Sequence, residues 1–470
     1  MRLIDAAAAD VSPSTGVSTS ENIKAAYNAV HAGRPALNYG PPTSIFSPQL
    51  ARLSDRLQNL HSVEPSALYL KHSHEYIVHA TDFYGKEMDR ETNLKTTIDD
   101  ILGAEGQWQH QFANKKAKPD ATWGMPIYIV YEGKNENGQG DASLQGILVY
   151  RKMLTLPDYR AVMQYSNCPI ILIGTMANRL EISAAIFTDG IYADKLVSLD
   201  LLLGFDGEEN VLRLARILHV LAISAQEICA HYEEARNNPP SDLIAVVLPD
   251  PTPVLGETLP KMTFKSKLSR SNKALDIVKT DAERCHGLYL ATMPQPPPVG
   301  SNPSSEALRE VVVKFTKRYN PEAHRLLAAE GLAPALHACS QVLGGLYMVV
   351  MDRIRDGQPL ELCRNRISQT VYDDVKKAMS LLHAENIVFG DLRLPNIMLL
   401  PSGRAMLVDF DWADADGKGR YSSMLNDSLV DHWAPGVQRR AIMTKEHDIF
   451  MLERLKDAAN MLMPRSGAMV

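Results

Sequence analysis

Cysteine is scarce in this 470-residue chain. There are five, Cys168, Cys229, Cys285, Cys339 and Cys363, widely spaced and odd in number. No Cys-x-x-Cys pair occurs, which excludes a cysteine-based zinc site and argues for a reducing compartment without a disulfide frame. No apolar run approaches the roughly 18 residues of a membrane helix. The opening MRLIDAAAADVSPSTG is broken by Asp5 and Asp10 and makes a poor signal peptide. Basic residues are not in excess: 49 Lys and Arg stand against 55 Asp and Glu, a formal net charge of -6. That excludes a uniformly basic nucleic-acid coat but leaves a local basic groove open. The sequence has no His-Glu-x-x-His, no Gly-x-Ser-x-Gly and no Walker-type glycine loop. Its 4 tryptophans and 10 phenylalanines show no stacking array for single strands.

What is present is an ordinary globular composition, 45% hydrophobic and 22% charged, on a chain long enough for two or three domains. Residues 1–44, rich in Ala, Ser, Gly and Pro, read as a flexible N-terminal tail with one short helix over 21–31. Residues 45–236 read as a first domain. Helical spacing appears over 50–60, 94–102 and 209–230, and strand-like runs occupy 127–131, 169–174 and 180–187. Six prolines in 237–260 mark a linker. Residues 261–470 read as a second domain, with a proline-rich loop over 294–305.

The second domain carries the densest chemistry, in NIVFGDLRLPNIMLLPSGRAMLVDFDW, residues 386–412. Asp391 follows an apolar run and lies in a loop, where a carboxylate can hold a substrate hydroxyl. Asn396, five positions on, offers an amide oxygen to Mg2+. Asp409, thirteen further, follows a strand and offers hard carboxylate oxygens to the same ion. Arg393 is suited to neutralise a transferred phosphoryl group. Phosphoryl transfer needs this kind of positioning more than covalent chemistry.

These residues resemble the catalytic core of the protein kinase superfamily. Two departures stand out: Phe389-Gly390 replaces the usual His-Arg, and Asp409-Phe410-Asp411 replaces Asp-Phe-Gly. The resemblance implies that Lys314, at the end of the strand REVVVKF, holds ATP phosphates. It further implies that Glu322, in the next helix, is the partner of Lys314, with Glu330 as its rival. The run LYMVVM then supplies the hinge that meets adenine, ending at Met351. The first strand leads into SRSN rather than a glycine-rich loop, and Asp448 is expected to anchor the catalytic loop.

The first domain has a second constellation. In PDATWGMPIYIVYEGK, residues 119–134, Asp120 is followed by Glu132 and Lys134. Side chains two apart on a strand share a face. Two carboxylates and a lysine on one surface suit metal-assisted phosphodiester cleavage: Asp120 and Glu132 hold Mg2+, and Lys134 orients water or stabilises developing charge. The pattern resembles the restriction-endonuclease-like superfamily, with its Pro-Asp…Glu-x-Lys signature. That resemblance implies a role for Gln145 in the following helix. Glu87 is a further candidate acid, although a solvated helix face accounts for it more simply. The lysines of 114–118 are candidates for phosphate contact.

Together the halves imply an α/β restriction-endonuclease-like core followed by a small bilobal α+β protein-kinase-like domain. This combination resembles the Crinkler-type effector and toxin proteins of fungi. The resemblance implies two activities: Mg2+-dependent DNA cleavage, and ATP-dependent phosphorylation of an unknown protein substrate, the chain itself included. It implies action in the nucleus or cytoplasm, with delivery to a host cell as one route, and no membrane partner. The other reading is a catalytically silent scaffold that occupies DNA and a protein partner.

Overall fold

The computed structural model describes residues 12–36, 38–112, 117–135, 140–240, 242, 244–269, 271–275, 287–295, 307–363, 367–426 and 433–461. Its contacts divide the chain into two units, Met1–Thr252 and Pro253–Val470. Both are mixed α/β. No helix among the described residues is long and apolar enough to cross a membrane.

Unit 1 begins with helices α1 (Pro13–Gly16), α2 (Ser20–Asn28), α3 (Pro48–Gln58), α4 (Ala67–Thr81) and α5 (Glu87–Leu102). Strands β1 (Gln107–Trp108), β2 (Ala121–Trp123) and β3 (Ile129–Lys134) follow, then helices α6 (Ala142–Met153) and α7 (Pro157–Val162). Strands β4 (Ile170–Met176), β5 (Arg179–Phe187) and β6 (Ile191–Asp200) lead into α8 (Gly207–Asn237). The six strands form one sheet in chain order. Only β3 and β4 are parallel, so α6 and α7 lie in the crossover that parallel pairing requires. Asp141 caps α6 by accepting from the Leu144 amide at 2.9 Å, and eleven of the helix's twelve residues are buried. That burial lets α6 lie directly over β3 and β4. Gly174 marks how close the approach is: a Cβ there would fall 2.7 Å from Ser143 Oγ and 2.9 Å from Ser143 N.

Two expectations about segment boundaries need correction. Residues 12–36 are not a loose tail: α1 and α2 bury Val17 and Ala26 against Leu144 and Leu148 of α6. Apolar residues at helical spacing among the alanines and serines are enough to pin the segment. Nor is 237–260 a free linker. The Asp250 amide donates to Ile45 O at 2.8 Å within unit 1. In unit 2, Val254 N donates to Gln341 O, and Ser340 Oγ donates to Thr258 O. Proline favours extended backbone, and this one is tied to neighbouring chain at these points while much of the rest is exposed. Most of the loop expected over 294–305, and residues 114–116 of the lysine cluster, lie outside the described residues.

Unit 2 opens with a six-stranded antiparallel sheet. Its strands are β7 (Thr263–Leu268), β8 (Ala274–Leu275), β9 (Leu288–Pro294), β10 (Leu308–Thr316), β11 (Leu336–Val342) and β12 (Leu346–Asp352), in the order β11-β12-β10-β9-β7-β8. Helix α9 (Pro321–Ala329) interrupts it after β10, capped by the Asn320 side chain. Beyond it lie β13 (Gln358–Pro359), α10 (Gln369–Ala384), β14 (Ile387–Val388), β15 (Ile397–Leu399), β16 (Ala405–Leu407), β17 (Asp414–Ala415) and α11 (Lys445–Met461). A continuous core joins α9, α10, α11 and the loops between β14 and β17, with Phe389 and Phe410 at its centre. The ring of Phe410 stacks on His324 at 4.6 Å and meets the edge of Phe389 at 5.5 Å.

Candidate functional site

In unit 2, short loops following β14 and β16 carry the residues expected to work together, and the lysine of β10 reaches them. Asp391 is 5% exposed. Asn396 Nδ2 donates to Asp391 Oδ2 at 2.8 Å and to Asp391 O at 2.9 Å, which turns the amide oxygen away as the end available to a cation. Burial pushes the Asp391 carboxyl up and Arg393 opposes that shift.

The loop itself hangs from Asp448, which is 1% exposed in the first turn of α11. Its carboxylate accepts the Phe389 amide at 2.7 Å, the Gly390 amide at 2.9 Å and His383 Nε2 at 3.1 Å. The Phe389-Gly390 departure has a local cause. Phe389 fills the core, and Gly390 holds a φ of 75° with Met443 Sδ only 2.9 Å from any added Cβ. Any other residue there would be strained and would have to displace the Met443 side chain.

Lys314 Nζ lies 2.7 Å from Asp409 Oδ1 and 2.7 Å from Asp411 Oδ1. Asp411 Oδ2 also accepts from Thr316 Oγ1 at 2.7 Å. Asp409 holds a left-handed φ of 69°, a conformation Asp tolerates better than most residues and one that recurs at functional sites. Burial raises the Asp409 carboxyl, but Lys314 overcomes that and holds it below its ordinary value. Asp411 behaves oppositely: burial and then the Asp409 charge push it up to about 6.

Three placements differ from expectation. Glu322 is exposed in the first turn of α9, because Ala323, His324 and Leu327 form that helix's buried face, and it does not pair with Lys314. Glu330 is a surface partner of Lys377 at 2.7 Å. Arg393 is paired with its neighbour Asp391. It grips Asp391 through Nε and Nη2, the latter at 2.7 Å, and its guanidinium lies 5.2 Å from the Trp433 ring. Met351 sits in β12 opposite Val312 and Leu336, 6% exposed.

In unit 1, Asp120, Glu132 and Lys134 converge at one end of the β2–β3 pair. Asp120 Oδ2 accepts the Gly133 amide at 2.6 Å, which pins the carboxylate between Glu132 and Lys134. Glu132 is fully buried; Gln145 Nε2 of α6 donates to its Oε2 at 2.6 Å, and its Oε1 has no partner. Burial, with Asp120 nearby, drives the Glu132 carboxyl well above its ordinary value. Lys134 Nζ lies 3.3 Å from Glu87 Oε1, so Glu87 faces the site and is not merely a solvated helix acid.

Glu91, one helical turn beyond Glu87, was not singled out in the sequence. Gln109 Nε2 donates to its carboxylate at 2.6 Å and lies 3.4 Å from Asp120 Oδ1. Burial and then the Asp120 charge push Glu91 up to about 7. The signal that could have found it is the i, i+4 spacing of two acids on one helix. Arg90, 3% exposed, orients this face of α5 by donating to Lys134 O at 2.9 Å. An orphaned buried carboxylate oxygen and a set of acids with raised proton affinity form a donor set suited to a hard cation. Among the described residues, however, no group of three or more His, Cys, Asp or Glu is arranged to hold a metal.

No family model matches the chain. A kinase of solved structure, PK-1 from Cydia pomonella granulovirus, is 17% identical, and the match covers 43% of this chain and 70% of that one. The TM-score is 0.31, too low to define a shared fold.

Proposed function

We propose that unit 2 is an ATP- and Mg2+-dependent phosphotransferase of the protein-kinase type, acting on a protein hydroxyl. The observation that carries this reading is the convergence of Lys314, Asp391, Asn396 and Asp409 from three separate segments, β10 and the loops after β14 and β16. Bound Mg2+ would supply charge neutralisation for the nucleotide phosphates, held by Asn396 and Asp409. Asp391 would orient the attacking hydroxyl, and its contacts with Asn396 and Arg393 fix the carboxylate plane for that task. Lys314 would meet the phosphates. Arg393 serves as the clamp on Asp391, and Met351 closes β12 where adenine would dock.

For unit 1 the reading is a restriction-endonuclease-like fold that cleaves DNA with Mg2+. Asp120 and Glu132 would hold the ion, Lys134 would stabilise developing charge, and Gln145 would orient Glu132. The buried unpaired Oε1 of Glu132 supports a cation site, because an acid so placed needs positive charge to ionise. An effector or toxin role of the Crinkler type, inside the nucleus or cytoplasm of a cell, follows from the pairing of the two units.

The alternative reading is that both units bind DNA and a partner without turnover. Purified protein with plasmid and Mg2+ separates the two for unit 1. Cleavage by the natural chain and its loss in Glu132→Ala support the nuclease; intact plasmid with both supports the scaffold.

A further inference from the structure

We infer that Asp411, not a helix glutamate, is the dedicated positioning residue for Lys314; the inference rests on the phosphotransferase reading of unit 2. The logic is one of occupancy. Lys314 has two carboxylate neighbours, each 2.7 Å from Nζ: Asp409 Oδ1 accepts a hydrogen bond, and Asp411 Oδ1 makes an ion pair outside hydrogen-bond geometry. Asp409 is the one with further work: an aspartate that ligates Mg2+ has less negative charge to spend on a lysine. Asp411 is seated independently, because Thr316 Oγ1 donates to its other oxygen at 2.7 Å.

Strand β10 supplies both sides of this arrangement. Lys314 and Thr316 are two residues apart and project from the same face of the strand. Thr316 therefore fixes Asp411 beside the lysine that Asp411 must orient. The glutamate expected in this role, Glu322, is exposed on α9. Asp411 thus accounts for two departures together: an acid in place of the usual glycine after Phe410, and a helix acid that does not face inward. The lysine's partner then travels with the Asp409 segment, so α9 need not move to complete the site.

Equilibrium binding of ATP, measured calorimetrically with and without Mg2+, tests this on the full chain. Asp411→Asn is expected to weaken ATP binding about ten-fold, the scale of one charge-assisted contact. Asp411→Glu restores part of the loss, and Glu322→Gln changes nothing. If Asp411 acts through Lys314, then Asp411→Asn adds nothing on a Lys314→Met background. In turnover the KM for ATP rises while kcat stays within about two-fold, a split that general loss of fold does not produce. Should Asp411→Asn fail to fold, Thr316→Val frees the carboxylate while keeping its charge and is expected to weaken binding several-fold. ATP binding unchanged in Asp411→Asn, or in Thr316→Val where that variant must stand in, overturns the inference and leaves the phosphotransferase reading intact. A natural chain that binds no ATP overturns that reading itself.

Discussion

Glu132 shows how a single side chain can be costly to the fold and necessary to the chemistry. It is fully buried with one oxygen unpaired, and burial holds its carboxyl protonated well above the ordinary range. Glu132→Gln keeps the shape and removes the acid, so it is expected to raise the metal-free melting temperature while abolishing cleavage. A lower melting temperature would contradict the account of that carboxyl. Glu91, Asp120 and Glu132 all bind protons more tightly folded than unfolded. The contribution of Glu91 to stability is present below its unfolded value of 4.5 and is lost as pH rises through about 7, and those of Asp120 and Glu132, shifted in the same direction, are likewise lost as pH rises. Melting in EDTA should therefore occur at lower temperature at pH 8 than at pH 5, with a shallower dependence in Glu91→Gln. At this scale the Asp120, Glu132, Lys134 pattern and the Asp391, Asn396, Asp409 pattern were legible in the sequence, because spacing within a strand or loop carries over directly. Glu91 and Asp411 were not, since what matters for them is which residue a fold brings opposite.

Elements set how tightly each site is held. In unit 1 the approach of α6 to β4 depends on Gly174, and Gly174→Ala would press a methyl into the Ser143 backbone. The expected cost is about 1–3 kcal/mol, read by urea denaturation, with Gln145 displaced from Glu132. In unit 2 the loop of Asp391 depends on α11 through Asp448. Asp448→Ala leaves the buried Phe389 and Gly390 amides without their acceptor and should destabilise unit 2 by roughly 2–4 kcal/mol. The strands read from the sequence over 169–174 and 180–187 lie close to β4 and β5, because the first is an unbroken apolar run and the second alternates Glu181 and Ser183 with apolar neighbours. Strand β6 was missed: in IYADKLVSLD, Asp194 and Lys195 break the apolar pattern. Helix α5 begins at Glu87, well before the apolar spacing over 94–102 that signalled it. That first part, read as helix from the run KEMDRETNLKTTIDDIL, is the stretch that delivers Glu87 and Glu91 to the site.

Across the whole molecule, two units each carry their own set of ionisable groups. Separate lesions should therefore have separate effects: Glu132→Ala removes cleavage and spares phosphate transfer, while Asp409→Ala removes transfer and leaves the unit 1 site chemically intact. The composition made a two-domain chain legible, and the division of contacts at Thr252 and Pro253 falls inside the 24-residue proline-rich segment 237–260. Proline density marks extended backbone and does not reveal what that backbone packs against.

The central claim is that Lys314, Asp391, Asn396 and Asp409 form a working phosphoryl-transfer site. Incubation of the purified chain with γ-labelled ATP and Mg2+, beside Asp409→Ala, tests it most directly. Label is expected on protein with the natural chain and not with the variant. Equal labelling of both, or ATP bound by the natural chain with no transfer to itself or to a panel of protein substrates, would contradict it.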